Sequence, residues 1–422
     1  MGGATLAEKI LAHASGMPRV HPGQIVTCAI DLLMMHDSGG PRRVAARLEQ
    51  LGAKVWDSGR VVVVSDHFVP ATDLDSAEIL ALTRRWAAAH GVRHYDGIGI
   101  CHVVLQEHGH VQPGMFCVGG DSHSPSGGAM GAYMVGVGAT EITGALVTGS
   151  LWIKVPRQAR VDCRGRLRPG VSAKDLMLHL CARIGMNNDA HVIEYAGEAV
   201  RSMSIAERFV LCNMSAELGA ETGIVAPDRI TLDALGAAGR AFEGDPARWQ
   251  SDADAHFDIE HVIDTAALAP QVAAPHSPAN SIGIDSLRET VRVDQAYIGA
   301  CTGAKLSDLH MAAEVLRGRR VAAGTRLLIA PASTAMTAQA ASDGTLATLT
   351  EAGAILLPTG CGACAGLGAG MVAAGETCIA STARNFRGRM GSPEAAVWLG
   401  SPYTVAASAV HGRIADPREF VA

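Results

Sequence analysis

Residues 354–370 read AILLPTGCGACAGLGAG, a short aliphatic run that breaks at a proline and opens into a glycine-rich turn carrying Cys361 and Cys364. Three other runs end the same way. Residues 61–64 lead into Ser-Asp66-His67, residues 115–118 into Gly-Gly-Asp121-Ser122-His123, and residues 296–299 into Ala-Cys301-Thr-Gly. These runs, with others at 291–298 and 326–329, alternate with Ala/Leu-rich helical patterns, so an α/β fold with mostly parallel sheets is expected. Open α/β sheets bind ligands at the carboxyl ends of their strands. The four strand ends therefore deliver carboxylates, imidazoles and thiols where a site is expected.

At 422 residues the chain exceeds one ordinary core, and two or three domains are expected. Its character changes at residues 156–170, which are basic and polar, and at residues 267–281, rich in Pro, Ala and Ser. These changes divide the chain into residues 1–156, 157–286 and 287–422. A net charge of −6 provides no basic blanket for nucleic acid or anionic lipid, so neither is expected as a partner. The N-terminal MGGATLAEKILAHASG lacks the apolar core and cleavage box of a secretory signal. Ten cysteines are too sparse for a disulfide scaffold and fit a reducing compartment; a cytoplasmic protein is expected. Residues 127–155 carry only Glu141 and Lys154 as charges, but their glycines, threonines and Ser150 predict a buried helix after a glycine loop rather than a membrane span.

Cys361 and Cys364 form a Cys-x-x-Cys whose glycines leave backbone amides free to bond sulfide or thiolate. Cys301, in YIGACTGAK, sits in the same strand-to-glycine setting. Three thiols matter because a 4Fe-4S cluster held by four thiolates moves electrons, whereas one held by three leaves an iron open as a Lewis acid. Spacing alone leaves inert core cysteines, a redox pair and a zinc site open as alternatives, although no second Cys-x-x-Cys or finger-spaced Cys/His pair accompanies the first. Cys378, inside the apparent strand TCIAS, reads as a packing residue.

Asp66-His67 and Asp121-Ser122-His123 put carboxylates beside imidazoles, and His102, in GICH, adds a third histidine. A neighbouring carboxylate fixes a histidine's tautomer and raises its basicity. Singly, Asp121 with Ser122 also reads as a cap for the element that follows; the joint placement at strand ends favours acid–base chemistry. Arg384 and Arg389, in STARNFRGRMG, offer guanidinium forks for a ligand carboxylate or for salt bridges. Asn213 and Glu217 stand four apart, on one face if the segment is helical.

The motifs CVGGDSHSPSGGAMGAYMVGVGATE, FVLCNMSAELGAETGIVAPD, IGACTGAK, LPTGCGACAGLGAG and CIASTARNFRGRMG resemble the aconitase superfamily over nearly the whole chain, most nearly the large subunits of 3-isopropylmalate dehydratase and homoaconitase. The resemblance implies three related α/β/α domains around a 4Fe-4S cluster, with Cys301, Cys361 and Cys364 as its ligands and one open iron. It implies that Asp66 with His67 and Asp121 with His102 handle the hydroxyl proton. Ser122 and His123 would line the site, Glu217 with Asn213 would bond iron-bound water or hydroxyl, and Arg384 and Arg389 would hold a substrate carboxylate. It also implies a separate small subunit, whose swivelling domain brings the serine that removes the carbon-bound proton.

The reaction so implied is a reversible dehydration of a small hydroxy-dicarboxylic or tricarboxylic acid, 3-isopropylmalate-like, with homoaconitase, methylmalate or maleate hydratase paralogues as alternatives. A cluster-sensing RNA-binding regulator is the reading from another class, and the missing basic face disfavours it. This chain departs from the family at Gly303 and Ala383, where asparagines are usual, and at Gly39, where threonine is usual, in the segment Asp31 to Pro41. These departures bear on the substrate more than on the cluster.

Overall fold

In the computed structural model, which describes residues 2–421, the run at 61–64 becomes the strand Val61–Ser65, buried along its whole length. It lies inside a five-stranded parallel sheet of order Arg93–Asp96, Val61–Ser65, Leu32–His36, Phe116–Gly119, Tyr133–Gly136. An unbroken β-branched run suits a strand covered on both faces. A second parallel sheet runs Thr222–Val225, His191–Ala196, Arg157–Arg164, Ile259–Asp264.

The third sheet has seven strands, in the order Ser281–Gly283, Gln271–Ala273, Ala396–Leu399, Thr377–Ala380, Gln295–Ile298, Arg326–Ile329, Ile355–Leu356. It is parallel except where Gln271–Ala273 meets its two neighbours. The antiparallel ribbon of Ile25–Ala29 and Ser150–Lys154 completes the strands. The α/β class with mostly parallel sheets is therefore the observed one.

Helix starts follow local chemistry. Ser172 and Asp175 form a capping box that opens Ala173–Ile184, and Ser204 and Glu207 do the same for Ile205–Asn213. Each pair satisfies backbone amides that the first helical turn leaves unbonded. Residues 127–155 meet expectation in part: a helix follows the glycine turn Ser124–Met130, but it is confined to Ala139–Thr148 and buries one face, with the strand Tyr133–Gly136 before it and the ribbon strand after it. The cause is backbone conformation: Gly131 and Gly149 have φ of 75° and 65°, left-handed values that stop a helix. Among the described residues no helix is long and apolar enough to cross a membrane.

The sheets are tied to one another by close backbone approach and hydrogen bonds. The turn Ser124–Met130 lies so near strand Thr222–Val225 that a Cβ at Gly128 would overlap the Gly223 carbonyl. Thr222 Oγ1 donates to Met134 O at 2.7 Å across the same seam. The first and third sheets are tied by Ile100 N to Ala332 O at 2.9 Å, Thr334 N to Ile98 O at 2.8 Å, and Cys361 N to Asp66 O at 2.9 Å. Gly128→Ala is expected to lower stability by about 2 kcal/mol, the scale of overpacking a tight contact, as measured by the urea unfolding midpoint.

Candidate active site

Strand Val61–Ser65 ends where Asp66 and His67 begin. His67 Nδ1 lies 2.7 Å from Asp66 Oδ1, while Asp66 Oδ2 accepts the Cys101 amide at 2.7 Å. Burial would raise the Asp66 pKa, but His67 and that amide hold it below the ordinary carboxylate range. Burial lowers the His67 imidazole, and the neighbouring Cys361 sulfur and Asp66 carboxylate more than reverse this, so it is raised. Asp37, fully buried, accepts the amides of His67 and Phe68 at 3.1 and 2.9 Å and so fixes the turn. His36 stacks on His67 with ring centroids 4.2 Å apart. Its Nδ1 accepts the Gly39 amide and its Nε2 donates to Gly120 O at 3.0 Å, which defines a neutral ring.

The strand Phe116–Gly119 delivers the second group. Asp121 Oδ1 sits 2.8 Å from His102 Nε2 and accepts the His123 amide at 2.8 Å, so it caps the following turn and pairs with an imidazole at once. Asp121 Oδ2 lies 3.9 Å from His67 Nε2, which joins the two carboxylate–imidazole pairs. His123 Nε2 is 3.1 Å from Glu217 Oε1, and Glu217 Oε1 accepts Arg384 Nε at 2.6 Å. Arg384 Nη1 donates to Ser122 Oγ at 2.9 Å. Burial would raise the Glu217 carboxyl, but His123 and Arg384 bring it down to about 2. Asn213 ends helix Ile205–Asn213, and Glu217 follows the 3-10 turn Met214–Ala216 with both side chains buried.

The thiols lie beside these groups. Asn213 Nδ2 donates to Ser126 Oγ at 2.8 Å and to Cys301 Sγ at 3.2 Å. Cys301 and Cys364 are buried and Cys361 is half-buried. Arg389 makes no polar side-chain contact with the other site residues, and its Nε is buried without a partner among the described residues. Cys378 lies in strand Thr377–Ala380 at 0% exposure, inside the buried cluster that also holds Tyr297 and Ala363.

Two groups of His and Asp bring their ligand atoms within 4.8 Å of one another, His36-Asp37-Asp66-His67 and His102-Asp121-His123. His36 and Asp37 stand in the segment Asp31 to Pro41, which resembles a substrate-proximal motif of the family but carried no assigned role for either, and Lys174 was not singled out from sequence. His36 and Asp37 were visible as a His-Asp dipeptide at a strand end. Lys174, 1% exposed with Nζ 2.5 Å from Thr382 O, was hidden inside a helix-capping signature.

An α/β scaffold that gathers two carboxylate–imidazole pairs, a guanidinium and three thiols at its strand ends defines an enzyme of acid–base lyase type. The chain belongs to the aconitase family (aconitate hydratase), whose model matches residues 8–412, and it is a hydro-lyase of that family. It is 44% identical to the 3-isopropylmalate dehydratase large subunit 1 of Methanopyrus kandleri, over 99% of this chain and 100% of that one. It is 40% identical to the probable methanogen homoaconitase large subunit of Methanothermobacter thermautotrophicus, over 98% and 97%. The crystal structure of Thermococcus kodakaraensis aconitase X in its holo form shares the fold at TM-score 0.51, 15% identity and 87% and 88% coverage.

The family implies an iron–sulfur cluster, and the residues fit one. Burial pushes the Cys361 thiol up to about 12 and raises Cys301 and Cys364. Thiolates form there when a cationic group accompanies them. Buried atoms with no partner among the described residues, Asn213 Oδ1, Glu217 Oε2 and Arg389 Nε, belong to the same set of site residues and suit an interior that holds a polar group.

Glu217 carries a pH signature. Its carboxyl is depressed from 4.5 to about 2 in the folded chain, so its stabilisation is present above pH about 4.5 and lost as pH falls toward about 2. A melting-temperature series is expected to fall more steeply over that window for the wild type than for Glu217→Gln.

Proposed function

We propose that this chain is the cluster-carrying large subunit of a two-component hydro-lyase that reversibly dehydrates a small hydroxy-dicarboxylic acid of the 3-isopropylmalate kind. The observation that carries the reading is the continuity of contacts from Cys301 through Asn213 and from Cys361 through Asp66 to the acid–base pairs. In this reading Cys301, Cys361 and Cys364 hold a 4Fe-4S cluster. When bound, the cluster supplies an iron free of thiolate, a Lewis acid toward hydroxyl and carboxylate oxygens.

The chain's own residues do the rest. Asp66 and Asp121 orient His67 and His102, and His67 Nε2 and Asp121 Oδ2, 3.9 Å apart, are the atoms between which the hydroxyl's proton is held and moved. Elimination breaks one C–O and one C–H bond, forms the enoate double bond and releases water; hydration runs the same bonds in reverse. Arg389 and the outer Nη2 of Arg384 bind substrate carboxylate, while Glu217 and Ser122 fix Arg384 in place. His123, anchored by Glu217, lines the site.

The base for the carbon-bound proton comes from a small subunit with a swivelling domain. The exposed apolar side chains of Phe386 and Met371, beside the arginine-bearing turn, support a partner there. Ten free thiols support a reducing, cytoplasmic setting. A homoaconitase-type substrate is the second reading, favoured by the methanogen relative.

Anaerobic reconstitution with a small subunit, followed by absorbance screening of isopropylmalate, homocitrate, citrate, methylmalates and maleate, is expected to yield enoate from isopropylmalate. Turnover of homocitrate alone selects the second reading, and one zinc per chain without brown colour overturns the cluster. Cys301→Ser, Cys361→Ser and Cys364→Ser are each expected to abolish iron loading, and Cys378→Ser to leave it intact. Arg389→Lys is expected to weaken substrate binding by roughly 1.5–3 kcal/mol, the scale of a charge-assisted hydrogen bond, read from KM.

A further inference from the structure

Tyr297, on strand Gln295–Ile298, is 0% exposed, and its hydroxyl has no hydrogen-bond partner among the described residues. Burying a hydroxyl without a partner is unfavourable, and phenylalanine would fill the same place without that cost. Tyr297 belongs to a buried cluster with Leu328, Ala363, Val372 and Cys378. It lies so close to Gly299 that a Cβ there would overlap the ring edge. The hydroxyl end reaches the turn between the two cysteines of the Cys-x-x-Cys: a Cβ on Gly362 would stand 3.7 Å from Tyr297 Oη. The backbone is thus cleared of side chains at 299 and 362, along the ring and at its polar tip.

We infer that the Tyr297 hydroxyl is a hydrogen-bond donor to sulfur at the Cys361–Cys364 turn, a positioning residue that tunes whatever iron–sulfur group those cysteines hold. The inference rests on the reading that Cys301, Cys361 and Cys364 carry a cluster. Sulfur in such a site is electron-rich, and donors to it stabilise the more reduced cluster and retain iron. Burial and the nearby Cys364 and Cys361 sulfurs raise the phenol's pKa, which keeps it protonated and able to donate. The hydroxyl then has opposite effects in two states. Without metal it is an unpaired polar group; with metal it is a paired one.

The test uses the full chain, anaerobically loaded with iron and sulfide, as wild type and as Tyr297→Phe. Reduction potential is read by a spectroscopic redox titration, iron retention by transfer to a chelator, and the metal-free form by melting temperature. The expected result is a potential shifted negative, iron lost about tenfold more readily, the scale for losing an outer partner of a metal site, and a metal-free melting temperature unchanged or higher. Equal potential and equal iron loss in the two proteins would overturn the inference. Failure of the wild type to take up iron and sulfide would instead sink the cluster reading beneath it. If Tyr297→Phe does not fold, replacing Tyr297 by its 3-fluoro analogue, a stronger donor of nearly the same shape, is expected to shift the potential positive, and an unshifted potential overturns the inference.

Discussion

Asp66 is where the structure is held together. Its carboxylate, 1% exposed, accepts from His67 and from the Cys101 amide, and its carbonyl accepts from Cys361. One residue therefore joins the first sheet's acid–base pair, the helix Cys101–Glu107 that carries His102, and the thiol-bearing turn of the third sheet. A buried carboxylate without partners would protonate or unfold the region. The requirement that Asp66 be satisfied thus fixes the distance between the sheets as well as the imidazole's tautomer.

The same logic repeats at Glu217, buried against His123 and Arg384, and at Asp37, whose carboxylate is spent on backbone amides. Each of these carboxylates is matched by donors from a different stretch of chain, so charge pairing and assembly are one event. The thiols behave in the opposite way. Burial raises Cys301, Cys361 and Cys364, and it outweighs the Asn213 amide at Cys301, His67 at Cys361 and the Arg389, Arg384 and Lys174 charges near Cys364. The imidazoles and carboxylates are held by direct pairing, whereas the thiols stay raised despite these partners. A metal supplies what is lacking there.

The departures from the family pattern acquire physical meaning in three dimensions. A Cβ at Gly303 would overlap Ser381, whose hydroxyl accepts the Gly299 amide at 3.1 Å, so the space an asparagine side chain would enter is filled by serine. Ala383 is 1% exposed in the same core as Cys301. A Cβ at Gly39 would stand 3.0 Å from His36 Nε2, pressing on the ring that stacks against His67. All three changes act on the packing that supports the site, and none removes a carboxylate–imidazole pair.

The α/β class, the strand ends at Asp66, Asp121, Cys301 and Cys361, and the family were legible in the sequence, because strand hydrophobicity, glycine turns and long motifs are local properties of the chain. Within 127–155 a helix does follow the glycine turn, at Ala139–Thr148, but the strands Tyr133–Gly136 and Ser150–Lys154 were not read, because hydrophobicity does not distinguish a helix from strands broken by left-handed glycines such as Gly131 and Gly149. His36, Asp37, Lys174 and the unpartnered hydroxyl of Tyr297 became meaningful only in the folded chain. Their roles depend on partners 30 to 208 residues away, as for Asp37 with His67 and Lys174 with Thr382, or on the lack of one. Sequence by itself determined which chemical groups stand at the strand ends; tertiary structure decided which are paired, because pairing depends on distance and burial, and neither is written in residue order.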